Sequence, residues 1–402
     1  MDNKNISVSY AKTVYGQKEI DAVVRCLKES TQMGKYAREF EAAIARLFAK
    51  KYCLYVNSGS SALYIGIEAF GFKPGSEVIT PALTFSTTVG SIVKNALVPV
   101  FVDVGIASYC IEPAKIAAMI SDKTVAILAP NLIGNVCQWD EIAAIAKKHN
   151  LKIIEDSADT LGATLNGKSS GAWSDMSVTS FYGSHIINCA GNGGALCIND
   201  EEQLKKAKLL RSWGRSSSIF DEKSEAIENR FNVDVDGIKY DAKFVFEAVG
   251  YNLEGSEIGA AFGLEQLKDL QNNITTRRGN YQIQRDFFKK YEEFFILPQE
   301  TKDVRSGWLA FPVIIRQSAP FQRHDFQIFL EKRNIQTRVV FTGNITRQPG
   351  FKNLAMRKAP DLQNSDNIMR GGVLLACHHG LNNEMIAHMH IVIAEFLKTK
   401  IS

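Results

Sequence analysis

Three short stretches carry side chains whose types and spacing could do chemistry. The first, TSFYGSHIINCAGNGG over residues 179–194, sets a single histidine, His185, between a Ser-Phe-aromatic segment and a glycine-rich tail. An imidazole with an ordinary pKa of about 6.5 suits proton transfer at neutral pH. The second, LKIIEDSAD over residues 151–159, is an apolar run that ends in acids, so Asp156 and Asp159 stand at the end of a buried strand. A carboxylate there can cap a helix or hold a ring nitrogen protonated. The third, NSGSSA over residues 57–62, follows an apolar run and opens a helix. Its small side chains and free backbone N–H groups serve equally as a phosphate cradle or as a plain helix cap.

The elements between these stretches decide whether they can meet. From about residue 50 to 200, β-branched runs (YCLYV, EVITP, VPVFVDV, VAILAP, LKIIED) alternate with helical patterns such as SSALYIGIEAF and WDEIAAIAKKHN. This is the rhythm of a mostly parallel sheet with helices on its faces, and such sheets bind ligands at the carboxyl ends of their strands. Residues 57–62 follow one such run, and Asp156 ends another. Residues 215–241 are polar and aperiodic and read as a long functional loop. Helices are expected from SEIGAAFGLEQLKDLQ and TTRRGNYQIQRDFFKKYEEF; beyond them WLAFPVIIR and TRVVF read as strands, ahead of a final helix. The expected division is an N-terminal segment with a large α/β domain, residues 1–284, and a smaller α+β domain, residues 285–402.

Composition narrows the function classes. The 402 residues are 45% hydrophobic and 22% charged, with a net charge of +4 and no basic run, which gives no support to nucleic-acid or membrane partners. A polar N-terminus and the lack of a long apolar run suggest a cytoplasmic protein. The seven cysteines are scattered among apolar neighbours with no CxxC pair, so they read as buried free thiols, and no metal site is expected. The pair His378-His379 has no carboxylate close by in sequence and gives a metal little support.

Taken together, NSGSSAL, PALTFSTTVGSIVKNALVPVFVDV, IEDSADTLGA, SFYGSH with GNGG, and GYNLEGSEIGAAFGLEQL resemble the sugar aminotransferase family of fold-type I pyridoxal-phosphate (PLP) enzymes, over nearly the whole chain. In that family the position of His185 is normally the lysine that holds the cofactor as a Schiff base. Imidazole forms no stable imine, so the resemblance narrows to the His-for-Lys branch, the 3-dehydratases that use pyridoxamine phosphate (PMP) on nucleotide-linked 4-keto-6-deoxyhexoses in deoxysugar and polysaccharide biosynthesis. TRVVFTGNITRQPGF is similar to the same branch. The resemblance implies that the PMP amine condenses with the 4-ketone, that His185 takes a proton from the cofactor's methylene carbon, and that the C3 hydroxyl leaves. The ring then serves as electron sink, and Asp156 keeps it protonated. Glutamate is the implied amino donor.

Other roles carry over from the resemblance one residue at a time. Phe85 matches the aromatic stacked on the ring. Gly59, Ser60 and Ser180 match the phosphate positions, and Asn252 matches a residue that reaches the partner subunit's phosphate, which implies a homodimer with shared sites. Asp159 replaces the usual Gln or Glu near the ring hydroxyl. Arg277, Arg278, Arg338 and Arg347 are candidates for the substrate diphosphate or the donor carboxylate. Some relatives with histidine carry a [2Fe–2S] cluster on cysteines after the strand-end aspartate and after an Arg-x-Trp-Gly-Arg motif. Here Ser157, Ala158 and Ser216–Ser218 stand at those places, so no cluster is expected. A nucleotide-sugar aminotransferase and a non-catalytic binder of cofactor or nucleotide sugar are the alternatives.

Overall fold

The computed structural model describes residues 6–220 and 226–401. An eight-stranded sheet forms the centre, in the order Tyr52–Val56, Gly194–Ile198, Met176–Ser180, Lys152–Asp156, Thr124–Pro130, Glu77–Pro81, Val98–Val102, Arg357–Lys358. Only Gly194–Ile198 runs against its neighbours, so the other strands deliver their carboxyl ends to one edge. Apolar runs buried on both faces make such a sheet possible. EVITP is buried throughout, and KIIED is buried after its first residue. Helix Gly59–Phe70 packs with Leu54, Leu128, Ile154 and Leu196 on one face. On the other, helix Trp139–His149 buries Trp139, Ile142 and Ala146, spaced to share one side.

A second sheet of four antiparallel strands, in the order Phe295–Ile296, Ala310–Ile315, Gly372–Ala376, Arg338–Val339, holds its own aromatic core with Phe288, Phe311, Phe326 and Phe396. The boundary expected at 284/285 falls inside helix Leu270–Phe288, and the C-terminal portion returns Arg357–Lys358 to the large sheet. Val8, near the N-terminus, pairs with Ile335 of the smaller unit. The two units are therefore interleaved in sequence, which local periodicity does not reveal. Residues 215–241 are not one irregular loop. They form short helical turns at Ser216–Ile219 and Ile227–Arg230 and a hairpin, Val233–Val235 with Ile238–Tyr240, while residues 221–225 lie outside the described residues. Pieces this short fall below the length at which a period can be read.

Candidate active site

A cavity of about 360 Å³ opens at the carboxyl edge of the large sheet, beyond strands Tyr52–Val56, Thr124–Pro130, Lys152–Asp156 and Met176–Ser180. Of the eight residues expected to act on or hold the cofactor, seven line it: Gly59, Ser60, Phe85, Asp156, Asp159, Ser180 and His185. Two larger surface hollows, of about 1220 and 680 Å³, contain none of them.

One corner of the cavity is built to hold an anion. Ser58 caps helix Gly59–Phe70 by accepting from the Ser61 N–H at 3.1 Å, which leaves the N–H groups of Gly59 and Ser60 without an intrahelical acceptor. Ser180, at the end of its strand, brings a hydroxyl to the same cavity. Two glycines permit this approach. A Cβ on Gly59 would sit 2.8 Å from the Ser180 Cβ, and one on Gly194 would sit 2.1 Å from the Ser58 carbonyl carbon. Gly194, the last glycine of the tail after His185, is thus a packing requirement of the corner. Phe85 lines the cavity yet is 50% exposed, with the ring of Phe341 edge-on to it at 6.1 Å between centroids. A half-uncovered aromatic ring on a cavity wall suits a stacked planar ligand.

The acid end lies deeper. Asp156 is buried, and its carboxylate accepts from Thr88 Oγ1 at 2.9 Å and from the Ala158 N–H at 3.2 Å. Burial pushes its pKa up to about 6, against the pull of those two bonds. Asp159 accepts from the Ile133 N–H at 2.8 Å, and burial raises it to about 7. Such a carboxyl is poised to share a proton with a ring nitrogen or phenolic oxygen.

His185 is half-buried on the cavity wall. Its Nδ1 lies 3.1 Å from the Ser180 carbonyl oxygen, which can only accept, so Nδ1 carries the hydrogen and Nε2 is left as the free base. Burial, with a smaller push from the Arg277 cation, lowers its pKa to about 4. The imidazole is consequently neutral and ready to accept a proton at pH 7. No lysine lines the cavity among the described residues.

The arginines separate. Arg277 cannot be a substrate anchor as expected: it is wholly buried and spends its donors on His379 and on main-chain carbonyls. Arg278 pairs with Glu300 at 2.8 Å, and Arg347 pairs with Asp366 at 2.5 Å, both away from the cavity lining. Arg338 is exposed, with its guanidinium 5.4 Å from the centroid of Tyr10, a cavity residue, and remains the candidate for an anionic substrate group. Asn252 is exposed and outside the lining, bridged to Ser212. His378 contacts the Ser9 carbonyl, and no group of His, Cys, Asp or Glu fit for a metal occurs among the described residues. All seven cysteines are buried and free. Sequence reasoning missed Tyr10, Thr88 and Phe341. Thr88 lay within a quoted motif, four residues after the strand-following Thr84, whereas Tyr10 sits in a polar N-terminal segment that carries no periodic signal.

Residues 14–394 match the DegT/DnrJ/EryC1/StrS aminotransferase family. The chain is 36% identical over 374 residues to a dTDP-4-dehydro-2,6-dideoxy-D-glucose 3-dehydratase of Saccharopolyspora spinosa, covering 90% of this chain and 80% of that one. It superimposes on E. coli GDP-4-keto-6-deoxy-D-mannose-3-dehydratase with bound hydrated PLP at a TM-score of 0.86 and 28% identity, over 96% of this chain and all of the other. A GDP-4-keto-6-deoxymannose-3-dehydratase with a trapped PLP-glutamate geminal diamine aligns at 0.85 and 27% identity, again over 96% of this chain and 100% of that one.

Proposed function

Because the chain belongs to the DegT/DnrJ/EryC1/StrS aminotransferase family, we propose that it removes the C3 hydroxyl of a nucleotide-linked 4-keto-6-deoxyhexose, using PMP held without a covalent bond. One observation carries this reading: a neutral histidine with a free Nε2 stands on the cofactor cavity wall, and no lysine accompanies it among the described residues. Primary amines anchor an aldehyde; an imidazole moves protons.

The residues present fit that cofactor. The N–H groups of Gly59 and Ser60 with the Ser180 hydroxyl would hold its phosphate, Phe85 would cover one ring face, and Asp156 would pair with the ring nitrogen. When bound, PMP supplies an amine for the 4-ketone and a ring that accepts electrons. Asp159, with a carboxyl near pKa 7, would bond the ring hydroxyl. His185 takes the proton through Nε2 while the Ser180 carbonyl fixes its ring by accepting from Nδ1. Glutamate supplies the two electrons: each hydroxyl lost as C–O becomes C–H is matched by one glutamate converted to 2-oxoglutarate and ammonia.

A homodimer is part of the proposal, with Asn252 entering the partner subunit's phosphate corner. No iron–sulfur cluster is assigned, since Ser157 donates to Glu155 at 2.7 Å, Ser216 to the Ala242 carbonyl at 3.0 Å and Ser218 to the Arg215 carbonyl at 2.6 Å. A cytoplasmic location is part of the proposal; no helix among the described residues is long and apolar enough to cross a membrane. The test is to offer GDP-, CDP-, dTDP- and UDP-linked 4-keto-6-deoxyhexoses with PMP and to analyse the sugar by mass spectrometry. A 4-ketone lacking the C3 oxygen supports dehydration. A 4-amino sugar with that oxygen intact would assign the chain to transamination, and unchanged sugar throughout would make it a binder.

A further inference from the structure

Arg277 is a charge in an unusual place. It belongs to helix Leu270–Phe288, is 0% exposed, and no salt bridge joins it to a carboxylate among the described residues. Its Nε donates to His379 Nδ1 at 3.1 Å, its Nη1 to the carbonyls of Trp308 and Leu309 at 3.1 and 3.2 Å, and its Nη2 to the carbonyl of His185 at 3.3 Å. A buried guanidinium is costly to desolvate, and a site that needed only filling would be served by an apolar chain. Its planar fork does what an apolar chain cannot, by joining two walls of one cavity, since both His185 and Leu309 line it.

We propose that Arg277 is the positioning residue for the base, clamping the main chain of His185 to the Trp308–Leu309 segment so that the imidazole keeps one orientation toward the cofactor. The inference rests on the reading of His185 as the base. His379 completes the clamp: by accepting at Nδ1 it must carry its own hydrogen on Nε2, and burial together with the Arg277 charge keeps it neutral, its pKa lowered to about 3. Arg277 adds a second effect, because its positive charge opposes protonation of His185. The other titratable or charged groups at this site are Asp156 at the end of strand Lys152–Asp156 and Asp159 just after it, Tyr10 and Lys12 from the N-terminal segment, Tyr182 on the base's own loop, Asp269 at the start of the arginine's helix, Cys377 and His378 beside His379, and Arg338 on the smaller sheet.

The test compares Arg277→Lys, which keeps the charge and loses the fork, with Arg277→Met, which loses both. His379→Leu disturbs the clamp from outside the cavity and serves if the arginine variants fail to fold. Arg277→Lys should lower kcat about tenfold or more with KM for the sugar within twofold, as expected when reacting groups are misaligned. Nitrogen-15 imidazole spectra of the cofactor-free proteins should show the His185 Nδ1–H signal sharp in the natural chain and broadened in Arg277→Lys. In Arg277→Met the His185 midpoint should move to higher pH. A kcat within twofold for Arg277→Lys or, where only it folds, for His379→Leu, overturns the clamp, as does a kcat loss that merely follows the folded fraction. An unmoved His185 midpoint in Arg277→Met refutes the electrostatic part. If the natural chain removes no C3 hydroxyl, the functional reading fails, while the spectra still decide the geometry.

Discussion

Replacing Thr88 by valine tests how the acid end of the site is tuned. The two side chains have nearly the same shape, so the change deletes the 2.9 Å bond from Thr88 Oγ1 to Asp156 and little else. Asp156 is then left with the Ala158 N–H at 3.2 Å. A hydrogen bond to a buried charged group contributes about 1.5–3 kcal/mol, and about 1.4 kcal/mol is one pKa unit, so the carboxyl should rise by roughly one to two units. Starting from about 6, Asp156 is ionised about ten to one at pH 7; in the variant the ratio drops to between roughly one to one and one to ten. A neutral acid is a weaker partner for a protonated ring, so PMP should bind the variant about two- to tenfold more weakly at pH 7, with the two proteins converging at pH 9, where both carboxyls are ionised. Equilibrium dialysis against PMP at the two pH values is the assay. Equal weakening at both would place the effect in packing, and equal affinity at pH 7 would refute the tuning.

Three further outcomes are expected. PLP added to the protein should wash away after borohydride treatment, whereas His185→Lys should retain a reduced adduct; an adduct on the natural chain would contradict noncovalent binding. Cofactor-free protein should lose stability as pH falls from about 6.5 toward 4. His185, His378 and His390 are lowered to about 4 and His379 to about 3, all by burial, so the unfolded chain takes up protons that the folded chain refuses. Asp156 and Asp159, raised to about 6 and 7, work the other way, but two groups do not offset four, and a melting temperature at pH 5 equal to or above that at pH 7.5 would contradict the balance. Anaerobically purified protein should contain no stoichiometric iron or sulfide, and finding both would overturn the reading of the serine replacements.

The cofactor edge was legible because its signals are local. Gly59 follows a strand, Asp156 and Ser180 end strands, and a parallel sheet brings such strand ends together whatever lies between them. What stayed hidden depends on distant chain segments. The pairing of Arg357–Lys358 with the large sheet, more than 250 positions after Val98–Val102, is a long-range contact that no local period announces. Tyr10 reaches the cavity because Val8 pairs with Ile335, which no periodicity announces. Arg277 and Arg278 are adjacent and chemically alike, yet one is buried on carbonyls and the other paired on the surface, so residue type alone could not separate them.

The fate of nitrogen separates dehydration from transamination most directly. With nitrogen-15 glutamate, a nucleotide-linked 4-keto-6-deoxyhexose and no reductase, each turnover should give one 2-oxoglutarate, one labelled ammonia and one unlabelled 3-deoxy-4-keto sugar. Label retained in an amino sugar, or an absolute requirement for an added reductase, would contradict the assignment of His185 as the base of a glutamate-driven dehydratase.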